Sequence, residues 1–333
     1  MSNKTLSLFK GLLKATRYEG VISSINKNMD KKKKSIAELL ADGELILKKS
    51  GNKSAAEESL LLLSYLLKRE KFDIFLNRSL NVSFRETQLY YEWIDRRTRG
   101  TPVQYITGFQ NFMGMEFKTA KGVFIPRPET EILVEEVIKL IESMPDEIEL
   151  SFLDIGVGSG IIPVSICQYF QKRYKNIHFY AIDISMKAIE LAEENAKKFK
   201  CEDRITFFHG DLFFALKMLN SSILFDGIIS NPPYISRDEM IRLPDEIYLH
   251  EPREALYGGE EGLDYYQKII CQSPEYLKKG KSFLALEIGH KQKGSVRKII
   301  NQTGFFKEKV SILSDYYQND RAIVAFTRTC DKK

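Results

Sequence analysis

Cysteine, histidine and long apolar runs are all scarce in this chain, and each scarcity closes off a class of function. Four cysteines in 333 residues, Cys167, Cys201, Cys271 and Cys330, stand far apart with no Cys-x-x-Cys pair. A disulfide-stapled secreted scaffold needs dense pairs, and a structural zinc site needs closely spaced ligands. The pattern therefore predicts free thiols in a reducing compartment and no metal. The four histidines are equally scattered and read as ordinary surface or partly buried residues. The leucine cluster Leu60 to Leu63 soon meets Lys68 and Arg69, and no apolar run approaches the roughly 20 residues that cross a bilayer. No apolar stretch of a secretory signal is present, so a cytoplasmic location is expected.

Acidic residues are missing from the first eighteen positions, and basic ones crowd the start. Residues 1–35 hold nine basic side chains (Lys4, Lys10, Lys14, Arg17, Lys27 and Lys31 to Lys34) against Glu19 and Asp30, a net of +7. The whole chain is +5, so residues 36–333 carry 5 − 7 = −2. The body is thus no basic nucleic-acid binder by charge. The lysine run reads as a solvated linker, with RNA or a ribosomal surface as the other reading. An organelle transit peptide is a further alternative. The single arginine, with abundant Lys, Asn and Ile elsewhere, fits an AT-rich bacterial genome better. Hydrophobic residues make up 43% of the chain, enough for a sizeable core in one large or two ordinary domains.

Against these absences, Asn231-Pro232-Pro233-Tyr234 is the most informative stretch. It ends the apolar run Phe225 to Ser230, which reads as a buried strand. Two prolines donate no ladder hydrogen bonds and hold the backbone extended. The Asn231 amide and the Tyr234 ring are therefore expected at the carboxyl edge of a sheet, where α/β proteins bind ligands. The Asn231 Oδ1 and the Pro232 carbonyl are two acceptors able to grip one NH2 group, with the tyrosine face as a wall. The four residues resemble the motif of amino-directed methyltransferases, which act on adenine N6 or the glutamine amide. A Pro-Pro turn with a capping Asn is the plainer reading.

Phe152 to Ile155 run into Gly156-Val157-Gly158-Ser159-Gly160, and helix-compatible apolar residues follow, with Pro163 in the first turn. Such a strand, glycine turn and helix start brings backbone NH groups up to a ligand. The spacing is G-x-G-x-G, not the G-x-G-x-x-G of dinucleotide enzymes. A second strand, Ile177 to Ile182, ends in Asp183, whose carboxylate can accept both hydroxyls of a ribose. A third unit carries Asp211, placed to accept from an adenine amino group, next to Leu212. Successive strand tips for amino acid, ribose and adenine resemble an S-adenosylmethionine site. Asp183 and Asp211 as helix N-caps is the other reading.

The periodicity predicts a helical bundle over residues 36–100, with breaks at Gly51-Asn52 and from Asn77 to Ser83. Glycines among aromatic and β-branched residues predict a β-hairpin linker over 101–125. Thr130 is expected to cap a helix beginning at Glu131. From Leu150 on, strands and helices alternate, which predicts a parallel sheet closed by an antiparallel final hairpin. With these residues in hand, the chain is identified as a member of the release factor N5-glutamine methyltransferases. The match rests on Pro102 to Gly108, Pro126-Arg127-Pro128-Glu129-Thr130-Glu131, Glu251 to Gly259, and Leu286-Glu287-Ile288-Gly289. The Pro126–Glu131 run separates it from the ribosomal-protein glutamine methyltransferases.

The resemblance implies an α/β fold, a seven-stranded Rossmann-like class I methyltransferase sheet over 126–333. It implies a helical substrate-docking domain ahead of the hairpin, and a basic extension at 1–35 with no counterpart in the family. It implies S-adenosylmethionine as cofactor, contacting Gly156, Val157, Gly158, Ser159, Gly160, Asp183, Asp211, Leu212 and Asn231. Asn231, Pro232 and Tyr234 are the expected catalytic residues. Pro233, Phe124 and Arg127 join them in binding substrate, a peptide chain release factor, with no membrane, metal or direct nucleic acid required. Leu212 is often aromatic in the family, and Val157 replaces a usual Thr. A DNA adenine-N6 methyltransferase is the chief alternative; it needs a basic groove that the −2 body lacks.

Overall fold

The computed structural model describes residues 33–145, 149–171, 176–218, 223–280, 282–307 and 310–328. Most of the basic extension, residues 1–32, and Cys330 lie outside these. The chain forms two compact units, one up to Gly108 and one from Phe109.

The first unit is helical. Helices α1 (Ile36–Lys49), α2 (Ala55–Leu67), α3 (Lys71–Leu76), α4 (Phe84–Thr98) and α5 (Val103–Thr107) follow in order. Two begin in capping boxes, Ser35 with Glu38 and Ser83 with Glu86, which satisfy otherwise orphaned NH groups. Leu39, Ile46 and Leu47 of α1 pack on Leu62 and Leu63 of α2 and on Ile94 of α4. Arg97 grips Glu58 through two bonds, at 2.5 and 3.0 Å. The stretch from Thr101, expected to open a hairpin, is a short helix instead. Pro102 stands at its N-cap, and Gly108 ends it at φ 83°, a left-handed stop that glycine adopts without strain. The β-branched Val103, Ile106 and Thr107 suggested strand, but local caps outweigh that preference.

In the second unit, β1 (Phe109–Phe112) and β2 (Met115–Lys118) form the hairpin. Asn195 anchors it, accepting from the Lys118 N–H at 2.8 Å and donating to the Lys118 carbonyl at 3.1 Å. The main sheet has seven strands in the order β5-β4-β3-β6-β7-β9-β8. They are β3 (Leu150–Ile155), β4 (Ile177–Asp183), β5 (Ile205–His209), β6 (Gly227–Ser230), β7 (Phe283–Glu287), β8 (Ser311–Ser314) and β9 (Asp320–Phe326). The first five are parallel, and β9 runs antiparallel to both β7 and β8. Helices α6 (Thr130–Glu142), α7 (Ile161–Phe170), α8 (Met186–Lys198), α9 (Arg237–Met240), α10 (Asp245–His250), α11 (Asp264–Gln272) and α12 (Lys293–Gln302) complete the unit.

One core lies between one sheet face and α6 and α7; it contains Phe152, Phe179 and Phe283. A second, with Leu153, Ile228, Leu286 and Tyr266, fills the other face. Leu133, Val134, Val137, Ile138 and Ile141 make the buried stripe of α6. At roughly 1.5–3 kcal/mol for each fully buried side chain, that stripe fixes the helix to the sheet. It also fixes the position of Thr130, the first residue of α6.

Chain order runs outward from β3 to β4 and β5, then returns to β6 on the other side of β3. Crossovers diverge on either side of that point, and the crevice they leave lies at the carboxyl ends of the strands.

Candidate active site

The crevice is a cavity of about 340 Å³. It collects the strand tips that the sequence singled out, together with segments far away in the chain. Gly156, Val157, Gly158, Ser159, Asp183, Asp211, Leu212, Asn231, Pro232, Pro233, Tyr234, Phe124 and Arg127 all line it. Gly160 does not; it starts α7 and packs on Ala192, 3.2 Å from the Cβ it lacks.

At the tip of β3 the backbone turns through Gly158 at φ 56°, with open space where a Cβ would stand. The turn is held by Asp183, whose Oδ2 accepts from the Gly158 N–H at 2.9 Å. Its Oδ1 accepts from the Ser185 N–H at 2.8 Å. Each carboxylate oxygen keeps a lone pair for a ligand. Asp183 precedes α8 but does not cap it; Ser185 stands at the N-cap. Burial raises the Asp183 carboxyl against the two N–H bonds that lower it. Asp154, wholly buried in β3, is pushed well up by burial and then by Asp183, and neither of its oxygens has a partner among the described residues. Leu212 sits at φ 47° beside Asp211, a strained backbone of the kind found at binding sites. Glycine backbone, a paired ribose-type acceptor and a concave apolar wall fit a nucleoside carrying an amino-acid tail.

At the tip of β6 the strand register is decisive. Ser230 pairs with Leu286 in parallel, so the next residues, Asn231 and Glu287, stand side by side. The expected Thr130 cap is not formed, because helix α6 includes Thr130 and makes no side-chain cap. The Thr130 hydroxyl instead donates to Glu287 Oε2 at 2.6 Å. Asn231 Nδ2 donates to Thr130 Oγ1 at 3.1 Å, and the nearby Asn231 amide favours the ionised Glu287 carboxyl. Asn231 Oδ1 makes no hydrogen bond among the described residues. Burial pushes the Glu287 carboxyl from 4.5 up to about 7, opposed by the bond from Thr130.

The Asn-Pro-Pro-Tyr loop is clamped from behind. Gln292 Nε2 donates to the Tyr234 carbonyl at 2.9 Å and to the Gly262 carbonyl at 3.1 Å. A Cβ on Gly258 would meet the Pro233 carbonyl oxygen at 2.6 Å, so only glycine allows this approach. Tyr234 is pushed up by burial and stays neutral. Also lining the cavity, Arg127 lies over the Phe124 ring at 4.8 Å and pairs with the buried Glu251.

From the sequence Thr130 was read only as a helix cap, and Glu287, Gln292, Gly258 and Glu251 were not assigned roles. A single carboxylate closing the apolar run Phe283 to Leu286 was the available signal for Glu287. The described cysteines are free, Cys167 and Cys201 buried and Cys271 exposed. Among the described residues no cluster of metal-ligating side chains forms, and no helix is long and apolar enough to cross a membrane.

Comparison with known proteins places the chain in a family. Residues 38–108 match the PrmC N-terminal domain, and residues 115–260 match the methyltransferase small domain. The release factor glutamine methyltransferase of Clostridium acetobutylicum is 36% identical over 290 residues, 87% of this chain and 98% of the relative. The protein of the same name from Aquifex aeolicus is 36% identical over 265 residues, 80% of this chain and 89% of the relative. A crystal structure of a release-factor-specific protein-(glutamine-N5) methyltransferase from Alicyclobacillus acidocaldarius shares 28% identity over 62% of this chain and 94% of that one, with a TM-score of 0.36. The strand-tip cavity and a relative aligned over nearly its whole length lead to one assignment: the chain is a methyltransferase and belongs to the release factor glutamine methyltransferase family.

Proposed function

We propose that the enzyme methylates N5 of the glutamine in the Gly-Gly-Gln motif of peptide chain release factors, with S-adenosylmethionine as donor. The observation that carries this reading is Asn231, a cavity-lining amide whose NH2 is already engaged and whose oxygen is not. An acceptor there suits a substrate NH2 group. The glycine turn, Asp183, Asp211 and Leu212 hold the donor in this reading. Bound there, S-adenosylmethionine supplies an electrophilic sulfonium methyl.

An amide nitrogen is a poor nucleophile, because its lone pair is delocalised into the carbonyl. Asn231 Oδ1 and the Pro232 carbonyl accept its two hydrogens and aim the nitrogen; such positioning is worth several kcal/mol. The same acceptors stabilise positive charge growing on the NH2 group. Tyr234 walls the planar amide. Neither Asn231 nor Pro232 can take a proton, so the proton shed by the nitrogen passes to water. The helical unit serves as the docking platform for the release factor.

Carboxylates dominate the cavity lining: Glu129, Asp183, Asp211, Glu254 and Glu287 against Arg127 and Arg321. This disfavours a polyanionic DNA substrate. Incubating the full chain with a release factor and donor tests the reading by intact mass and peptide mapping. A gain of about 14 Da per methyl on the Gly-Gly-Gln peptide is expected. Methyl transfer to adenine in duplex DNA, with none to release factors, reverses the assignment.

A further inference from the structure

We propose that Thr130 and Glu287 are positioning residues that fix which way round the Asn231 amide lies, so that its oxygen and not its NH2 group meets the substrate. The inference rests on the reading of Asn231 as the acceptor for a substrate NH2. An asparagine amide is nearly symmetric in shape but not in chemistry; turned over, it offers two donors where an acceptor is needed. A turned Asn231 repels the amide it should hold.

The hydrogen count decides the orientation. Thr130 is fully buried, and its one hydroxyl hydrogen is spent on Glu287 Oε2. Only a lone pair of Thr130 Oγ1 is left to face Asn231, so the group 3.1 Å away must be the donor, Nδ2. An ionised Glu287, the neighbour of Asn231 through the β6–β7 register, likewise has no hydrogen to give. With Nδ2 committed to Thr130, Oδ1 is left for the other side of the amide. The arrangement joins three distant segments, the start of α6, the end of β6 and the end of β7, so no one of them sets it alone.

Protonation undoes this logic. With a proton on Glu287, its O–H becomes a donor to the network. The Thr130 hydrogen is then released, and the turned amide becomes acceptable. Glu287 is faced by Glu129 ahead of α6, Arg321 of β9, Tyr234 after β6 and Tyr266 of α11. Burial pushes both tyrosines up and keeps them neutral. Glu129 raises and Arg321 lowers the Glu287 carboxyl, which lies at about 7. Above that pH the carboxylate holds Asn231 in the working orientation, and below it the hold is lost.

The test measures kcat, KM for the release factor, donor affinity by calorimetry, and melting temperature for the full chain and its Thr130→Val, Thr130→Ser and Glu287→Gln variants. Thr130→Val keeps the shape and removes the hydroxyl. It should lower kcat roughly 10- to 100-fold, with KM and donor affinity within about threefold. Thr130→Ser restores the hydroxyl and should restore turnover. Wild-type turnover should fall as pH drops through about 7. Glu287→Gln mimics the protonated carboxyl, so it should be slow at every pH and lack that limb. Wild-type kcat in Thr130→Val, with the acid limb intact in Glu287→Gln, overturns the inference alone. So does a Thr130→Val defect that tracks lost melting temperature and is not rescued by serine. A wild-type enzyme that methylates no glutamine amide overturns the underlying reading instead.

Discussion

Asn231 has no titratable atom, so the role proposed for it depends on where its oxygen is held. Asn231→Ala removes the acceptor and leaves Thr130 and Glu287 in place. Single-turnover kinetics should show kcat lower by roughly 10²–10³, as for loss of one preorganised polar contact. Donor affinity should change far less, because the proposed donor site lies at the tips of β3 and β4. Glu287 shows the cost of this arrangement in stability. Its folded carboxyl sits at about 7 against an ordinary 4.5, which is raised, so folding disfavours the ionised form. Stability from this group is complete below 4.5 and is lost as pH rises through about 7. At 1.36 kcal/mol per tenfold in proton affinity, the loss is about 3 kcal/mol. Glu287→Gln should therefore melt higher than wild type by a margin that grows between about pH 5 and pH 8, while turnover falls. A site that trades stability for function behaves in this way. Asn231 and Tyr234 were legible in the sequence because a double proline is a local signal. The Thr130–Glu287 bond spans 157 positions, and no local pattern reports it.

Elements place these residues through register. Parallel pairing of β6 with β7 sets Asn231 beside Glu287, and pairing of β4 with β5 brings Asp183 opposite His209. The alternation of strands and helices was readable, because buried parallel strands are short apolar runs ended by turn residues. The helix over Val103–Thr107 was not, because its caps at Pro102 and Gly108 outweigh strand-forming side chains. Asp183 ties two elements at once, through Gly158 and Ser185. Asp183→Ala should weaken donor binding by about 1–3 kcal/mol, read by calorimetry, since ribose hydroxyls lose their acceptor. Unchanged affinity in a folded variant removes Asp183 from the donor site. Gly258→Ala should slow turnover, because its Cβ displaces the Pro233 carbonyl it would approach to 2.6 Å. Donor affinity should hold, which separates the clamp on the Asn-Pro-Pro-Tyr loop from the glycine turn at β3.

At the scale of the whole molecule, the residues assigned to donor and to chemistry lie between Phe124 and Glu287, all in the unit from Phe109 onward. That unit has its own two-faced core. The helical unit has a separate one, built on Leu39, Leu62, Leu63 and Ile94. Two cores predict two cooperative foldings and a division of labour. A fragment of residues 109–333 should fold, shown by a single melting transition. It should bind donor within about threefold of the full chain, because no side chain of the cavity is removed. If the helical unit docks the release factor, the fragment should lose most methylation of the intact factor. A short Gly-Gly-Gln peptide at high concentration should still be methylated slowly, since it needs only Asn231, Pro232 and Tyr234. Removing residues 1–32, by contrast, takes away most of the +7 extension and no cavity residue, so methylation of the release factor should persist. A fragment that fails to bind donor shows that the helical unit is needed to form the donor site. A fragment that methylates the intact factor at the full-length rate shows that docking lies within the catalytic unit.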